Sequence, residues 1–168
     1  MHIFLTGYMG VGKTTIGKEL AALTELPFLD LDEEITKQAG HSISGIFEQQ
    51  GEYAFRQLER ETLLKILKKL KTSHVIALGG GTICSVTNYT EILNNGRCVY
   101  LYKPWEELRE MLKILSDRPL ALHASVEELE DIFVKREPFY ELSQLKMPIN
   151  TTFSTQKLAQ KLRLLTFR

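Results

Sequence analysis

The sequence predicts an α/β fold of three layers, a parallel sheet covered by helices on both faces. Three observations predict it. First, Gly7-Tyr8-Met9-Gly10-Val11-Gly12-Lys13-Thr14 fits the pattern G-x-x-x-x-G-K-[ST]. It lies between the apolar run Ile3-Phe4-Leu5 and the helical spacing Ile16, Leu20, Leu23. Second, short apolar runs alternate with helical patterns along the chain, which implies right-handed crossovers and parallel strands. Third, Val75-Ile76-Ala77-Leu78 is apolar at every position, as a strand buried on both faces must be.

Taken in order, the elements are these. Ile3–Thr6 is the first strand, and the glycine loop opens the first helix. Phe28–Leu31 is the second strand, with a helix beginning near Glu33. In Glu52–Leu70, Phe55, Leu58, Thr62, Ile66 and Leu70 fall near one helical face. The lysines of Lys65–Lys71 then occupy the last turns of that helix, where cations suit the dipole and solvent takes the outer face. Val75–Leu78 is the third strand. A helix over Thr87–Asn95 ends at Gly96 as a C-cap, and Val99–Tyr102 is the fourth strand. Trp105–Leu115 is amphipathic. Ser125-Val126-Glu127-Glu128 fits a capping box that opens the next helix, and Pro138 is expected to break it. Met147–Ile149 is a weak fifth strand, and Leu158, Leu162 and Leu165 form the face of a last helix.

At 168 residues the chain suits one domain, 1–168, with a core of useful size. Lys+Arg and Asp+Glu are both 21, so the formal net charge is zero. That weighs against nucleic acid or an anionic membrane as the main partner. No apolar run approaches the roughly 18 residues of a membrane span. The N-terminal apolar stretch runs straight into the glycine loop and does not resemble a signal peptide. Cys84 and Cys98 have no C-x-x-C spacing, so reduced thiols in a cytoplasmic, monomeric protein are expected. His2, His41, His74 and His123 are scattered without metal-ligand spacing.

Chemistry is set by the residues that stand after each strand, since ligands in such sheets bind outside the carboxyl ends. A strand, a glycine loop and a helix N-terminus aim backbone N–H groups at one anion. Gly12 allows close approach to phosphate oxygens. Lys13 supplies a point charge for the β- and γ-phosphates of a nucleoside triphosphate, and the Thr14 hydroxyl is a ligand for Mg²⁺. In Phe28-Leu29-Asp30-Leu31-Asp32, strand alternation would turn Asp30 and Asp32 to the same side. One could hold a water of the metal shell, and the other could accept a hydrogen bond from a hydroxyl nucleophile. Either could instead cap the following helix.

The third strand ends in Gly79-Gly80-Gly81, where many P-loop motor ATPases carry a Walker-B acid. The bare backbone amides there suit a small polar substrate. No N-K-x-D motif is present to read a guanine base. Three arginines stand out. Arg56 has Glu59 at i+3 to hold it, Arg118 sits in Ser116-Asp117-Arg118-Pro119, and Arg136 falls inside the apolar face set by Leu129 and Phe133. An inward arginine calls for an anion or a carboxylate.

With these pieces in order, the sequence resembles the shikimate kinase family over nearly its whole length. The matching segments are Gly7–Thr15, Phe28–Asp32, Gly51 through Phe55-Arg56 to Glu59, Gly79-Gly80-Gly81, Arg118-Pro119-Leu120, and Arg136 with Pro138-Phe139-Tyr140. The resemblance implies a nucleoside-monophosphate-kinase-like fold with strand order 2-3-1-4-5 and a small lid at about 113–124. It implies ATP- and Mg²⁺-dependent phosphorylation of the shikimate 3-hydroxyl, on the route to chorismate and the aromatic amino acids. By position, Gly10, Val11, Gly12, Lys13, Thr14 and Thr15 hold the phosphates, and Asp30 reaches the metal through water. Asp32, Arg56, Gly79, Gly80, Gly81 and Arg136 hold shikimate, and Arg118 closes over the nucleotide. Lys13, Asp32 and Arg118 are the catalytic set.

Two rivals remain open at this level. One is a kinase of gluconate or of a nucleoside monophosphate. The other is a silent nucleotide-dependent binding protein, which retention of Lys13, Asp32 and Arg118 disfavours. The segment Glu141–Pro148 departs from the family's usual run into the last strand, so the adenine contact is not placed among Asn150–Gln156, and Arg109 has no assigned role.

Overall fold

A computed structural model of the chain describes residues 1–112, 124–150 and 153–166. Its centre is β1 (His2–Thr6), buried at all five positions. On one side β1 pairs with β3 (Val75–Ala77), and beyond it lies β2 (Phe28–Asp30). On the other side come β4 (Gly96–Tyr102) and then β5 (Leu145–Pro148). The order is β2-β3-β1-β4-β5 and every pairing is parallel, as the resemblance implied. Phe4 stands between Ile76 and Cys98 in register, and Phe4, Leu5, Ile76, Val99 and Leu101 form the innermost core. No helix among the described residues is long and apolar enough to cross a membrane.

Several boundaries differ from the sequence expectation, each for a local reason. β2 stops at Asp30, and α2 (Leu31–Ala39) begins two residues before the expected start. Asp30 is its N-cap, with Oδ1 accepting from the Asp32 N–H at 3.0 Å. Asp32 therefore lies in the first turn of a helix, and strand alternation does not place it. α3 (Ile43–Lys69) is preceded by Ser42, whose Oγ accepts from the Gly45 N–H at 3.1 Å. It is interrupted at Gly51, φ 79° and ψ 172°, where a Cβ would meet nothing within 4 Å. Glycine is needed there for its backbone freedom alone. Helical periodicity in the sequence marks only the part after this kink.

The end of α4 (Val86–Asn95) is capped by Gly96, whose N–H reaches the Ile92 carbonyl from an extended conformation. Gly96 also starts β4, three residues before Val99. A Cβ on it would lie 2.1 Å from the His2 carbonyl oxygen, so the strand can pair there only as glycine. α5 spans Trp105–Leu112; its expected extension to Leu115, the lid at about 113–124 up to residue 123, and Arg118 lie outside the described residues. α6 (Val126–Tyr140) opens on the expected capping box, with Glu128 N–H on Ser125 Oγ at 3.2 Å and Ser125 N–H on Glu128 Oε2 at 2.7 Å. Pro138 does not break it. The helix runs on to Tyr140 with Pro138 inside it. α7 (Thr155–Thr166) packs on α1 (Lys13–Thr24), with Thr155 Oγ1 donating to Glu19 Oε2 at 2.6 Å and Leu158 and Leu162 buried. The side chain of Leu165 lies outside the described residues.

Candidate active site

The loop after β1 is shaped by three glycines with positive φ: Gly7 at 138°, Gly10 at 81° and Gly12 at 98°. Gly7 is also forced by space, because its Cβ would stand 2.5 Å from the Leu101 carbonyl oxygen. Gly12 is the N-cap of α1, and no side chain caps that end. The first N–H groups of α1 are thus left for an anion, with the helix dipole favouring negative charge. Lys13 is 7% exposed, and its Nζ donates to the carbonyls of Gly7 at 2.8 Å and Tyr8 at 3.0 Å. The loop's own backbone holds the ammonium over its concave side. Val11 is buried beneath, and Thr15 is exposed.

Thr14 Oγ1 donates to Asp30 Oδ2 at 2.7 Å. With Oδ1 on the Asp32 amide, the two oxygens of Asp30 serve two elements, the helix α2 and the phosphate loop.

A cavity of about 1060 Å³ opens beside the loop, bordered by Met9 and lined by Asp32, Arg56, Glu59, Gly79–Gly81 and Arg136. All the described residues expected to hold the second substrate meet here. Arg56 Nη1 bonds to Glu59 Oε2 at 2.9 Å, as the i+3 spacing anticipated, and Nη2 reaches Glu52 Oε1 at 3.3 Å. Glu59 is 1% exposed, and its other oxygen accepts from Thr82 Oγ1 at 2.6 Å. Burial works to lower the Arg56 pKa, but Glu59 and Glu52 outweigh it and the net direction is up.

Two of the three glycines after β3 are pressed by side chains. A Cβ on Gly81 would lie 2.6 Å from Arg56 Nη2. One on Gly79 would lie 2.8 Å from Asp32 Oδ1 and 3.0 Å from Glu59 Oε1. Gly80 has Arg136 Nη1 at 3.5 Å and the Met9 nitrogen at 3.6 Å from the same position. Gly79 and Gly81 let charged side chains lie against the backbone, whereas a Cβ on Gly80 would make only ordinary van der Waals contacts. Asp32 reaches the cavity as expected, but from the first turn of α2.

Two tyrosines that sequence reasoning does not single out as site residues join these parts. Tyr8, inside the loop, donates its hydroxyl to the Leu129 carbonyl of α6 at 2.7 Å and meets Phe133 edge-on at 5.4 Å. Burial pushes its pKa up to about 12, against the pull of Arg136. Tyr140 donates to the Gly80 carbonyl, and burial raises its pKa strongly, again opposed by Arg136. A tyrosine next to an invoked arginine, one helical turn away, was the available signal. Arg109 pairs with Glu110 at 3.7 Å. Phe153 N–H donates to the Asn150 carbonyl at 3.0 Å, and Thr151 and Thr152 lie outside the described residues.

The chain matches the shikimate kinase family model over residues 9–165. Shikimate kinase of Chlorobium limicola is 42% identical over 154 residues, which span 86% of this chain and 76% of that one. Shikimate kinase of Caldanaerobacter subterraneus subsp. tengcongensis is 36% identical over 150 residues, 89% of this chain and 86% of that one. Among solved structures, shikimate kinase from Acinetobacter baumannii in complex with shikimate aligns with a TM-score of 0.86 at 36% identity, covering 99% of this chain and 92% of that chain. The family match, the identity across most of each relative and the structural alignment lead to one conclusion: the chain belongs to the shikimate kinase family.

Proposed function

We propose that Lys13, Asp32 and Arg118 transfer the γ-phosphoryl group of ATP to the 3-hydroxyl of shikimate, held by Asp32, Arg56, Arg136 and Gly79–Gly81. As a family member the chain is a small-molecule kinase that uses ATP and Mg²⁺, acting on the way to the aromatic amino acids. The observation that carries the residue roles is the meeting of Asp32, Arg56 and Arg136 in one cavity that borders the phosphate loop at Met9.

Shikimate is a ring with three hydroxyls and one carboxylate. Arg56 and Arg136 offer planar forks to the carboxylate, and Asp32 accepts from a hydroxyl. In the transfer, the 3-oxygen bonds to Pγ, the bond from Pγ to the bridging oxygen breaks, and the hydroxyl proton passes to Asp32. Lys13 and Arg118 face the charge that gathers on the transferred group and on ADP. Gly10, Val11, Gly12, Thr14 and Thr15 complete the phosphate cradle.

The donor set fits magnesium. Thr14 Oγ1 and Asp30 Oδ2 form an oxygen pair at 2.7 Å beside the loop, the chemistry a hard cation takes. Thr14 would hold the ion directly and Asp30 through water, and phosphate oxygens and water would supply the remaining ligands. When bound, the ion neutralises the β- and γ-phosphate charge.

The reading includes a single domain over 1–168 with a lid at about 113–124, working as a monomer in the cytoplasm without nucleic acid or membrane. Zero net charge supports the last two points. A coupled ADP-release assay with shikimate, gluconate and a panel of nucleoside monophosphates tests the substrate. Turnover is expected with shikimate; equal turnover with a nucleotide or gluconate overturns it.

A further inference from the structure

The phosphate loop and the helix that carries Arg136 meet through one side chain. Tyr8, the residue after Gly7, is 1% exposed. Its hydroxyl donates to the Leu129 carbonyl of α6 at 2.7 Å. Its ring meets Phe133 edge-on with centroids 5.4 Å apart, and Trp105 edge-on at 6.2 Å. Phe133 and Trp105 in turn stack at 5.7 Å and 28°. Rings from the loop, from α5 and from α6 thus close on one another.

The backbone of the same residue holds the lysine, since its carbonyl accepts from Lys13 Nζ at 3.0 Å. On α6, Leu129, Phe133 and Arg136 follow at helical spacing, so they share a face. At the far end of that face the guanidinium returns to the loop. A Cβ on Gly80 would stand 3.5 Å from Arg136 Nη1, 3.6 Å from the Met9 nitrogen and 3.8 Å from the Gly7 carbonyl oxygen. The loop and α6 therefore touch at Tyr8 and converge again around Gly80.

A ring alone would fill the space that Tyr8 fills. The hydroxyl adds direction: a buried phenol is costly unless it finds an acceptor, and a helical carbonyl keeps a lone pair to offer. The loop needs such a fix. Gly7, Gly10 and Gly12 allow its positive φ values but bring no side chain to pin it.

We propose that Tyr8 is a positioning residue that sets the separation of the two substrates, tying the loop that holds the ATP phosphates to the helix whose arginine holds shikimate. This rests on the reading that the substrate is shikimate. Transfer needs the 3-oxygen about 3–3.5 Å from Pγ and in line with the bond that breaks, and an error of about 1 Å can cost roughly 10²-fold. Arg136 fixes the shikimate ring through its carboxylate, and the loop fixes Pγ. The bond from Tyr8 to Leu129 turns these two separate grips into one geometry. Its effect should therefore appear in the rate of transfer and not in the binding of either ligand alone.

Tyr8→Phe keeps all three rings and deletes only the hydroxyl. The single-turnover rate at saturating ATP and shikimate is expected to fall roughly tenfold, the effect of a shift well under 1 Å. Shikimate and the non-hydrolysable imido analogue of ATP, each titrated alone by calorimetry, should bind within about twofold of wild type. The calorimetric stoichiometry counts competent sites, so unfolded protein cannot mimic the loss of rate. ADP with magnesium and aluminium fluoride stands in for the group in transfer, and shikimate should bind that complex roughly tenfold more weakly in the variant. A single-turnover rate within about twofold of wild type, a loss matched by weaker binding of one ligand alone, or an unchanged affinity for shikimate in the aluminium fluoride complex each overturns the proposal. Absence of shikimate-dependent ADP release in the wild type would instead fail the substrate reading, before any variant is made.

Discussion

Glu59 and Thr82 are joined by a 2.6 Å hydrogen bond inside the cavity wall, and that bond decides which carboxylate oxygen is left for Arg56. Oε1 is taken by the threonine, so Oε2 faces the guanidinium. The wall is therefore a chain of contacts from the turn after β3, through a buried acid, to an arginine that lines the cavity.

Removing the acid should disturb both folding and binding. Glu59→Ala leaves Arg56, with a side chain 29% exposed, without its buried partner, and stability should fall by about 2–3 kcal/mol. The KM for shikimate should rise about tenfold, since Arg56 loses its hold. Glu59→Gln keeps hydrogen-bonding capacity and should do less on both counts. Urea unfolding and steady-state kinetics check this, and an unchanged midpoint in the alanine variant contradicts it.

The arginines should show their roles in KM. Arg136→Ala is expected to raise the KM for shikimate by one to two orders of magnitude and to leave that for ATP nearly alone. Arg56→Lys should also weaken shikimate, because an ammonium cannot make the planar double contact. Effects confined to ATP would refute the assignment.

The role proposed for Arg118 is in the transfer step rather than in holding the acid substrate. Arg118→Ala should lower kcat by roughly 10³-fold, the scale of an arginine facing transferring phosphate. Single-turnover measurement at saturating ATP separates this from weak nucleotide binding. Full recovery at high ATP would argue against a transition-state role.

Gly96→Ala is a stability test with no active-site content. The new methyl group would meet the His2 carbonyl oxygen at 2.1 Å and the Phe4 ring at 2.9 Å. Paired backbone in the middle of the sheet cannot give way, so a loss of about 3 kcal/mol is expected. Calorimetry should show a melting point lower by about 6–12 °C, with ordinary kinetic constants for the fraction that remains folded.

Much of the fold and the site is legible in the sequence, for uneven reasons. The phosphate loop is readable because its constraints are local: positive φ at Gly10 and Gly12, and a lysine and a threonine at fixed steps. Helical phase alone places Arg136 correctly. Strand alternation assigns Asp32 to the cavity by an argument that does not hold, since the strand ends two residues before it. The wrong element still delivers the side chain to the right place, because a helix beginning at a strand's carboxyl end aims its first turn at the same region. The helical turns over 43–50 escape notice although Ser42, Ile43, Ile46 and Phe47 carry a cap and helical spacing; the kink at Gly51 puts them out of phase with the longer helical stretch from Glu52 onward. The contacts of Gly79 and Gly81 are not readable, because they depend on side chains about 20 to 50 positions away in sequence. Tyr8 is hidden for the same reason, since its hydroxyl reaches Leu129 far along the chain.

Asp30 shows the consequence of such economy. One carboxylate both starts a helix and sits beside the phosphate loop, through separate oxygens at 3.0 Å and 2.7 Å. A substitution at this position would consequently act on folding and, through the metal role proposed for Asp30, on turnover. Asparagine would keep the first duty and surrender the charge of the second, whereas alanine would forfeit both. A lost activity in the alanine variant says little about the metal, and only the asparagine variant separates architecture from chemistry.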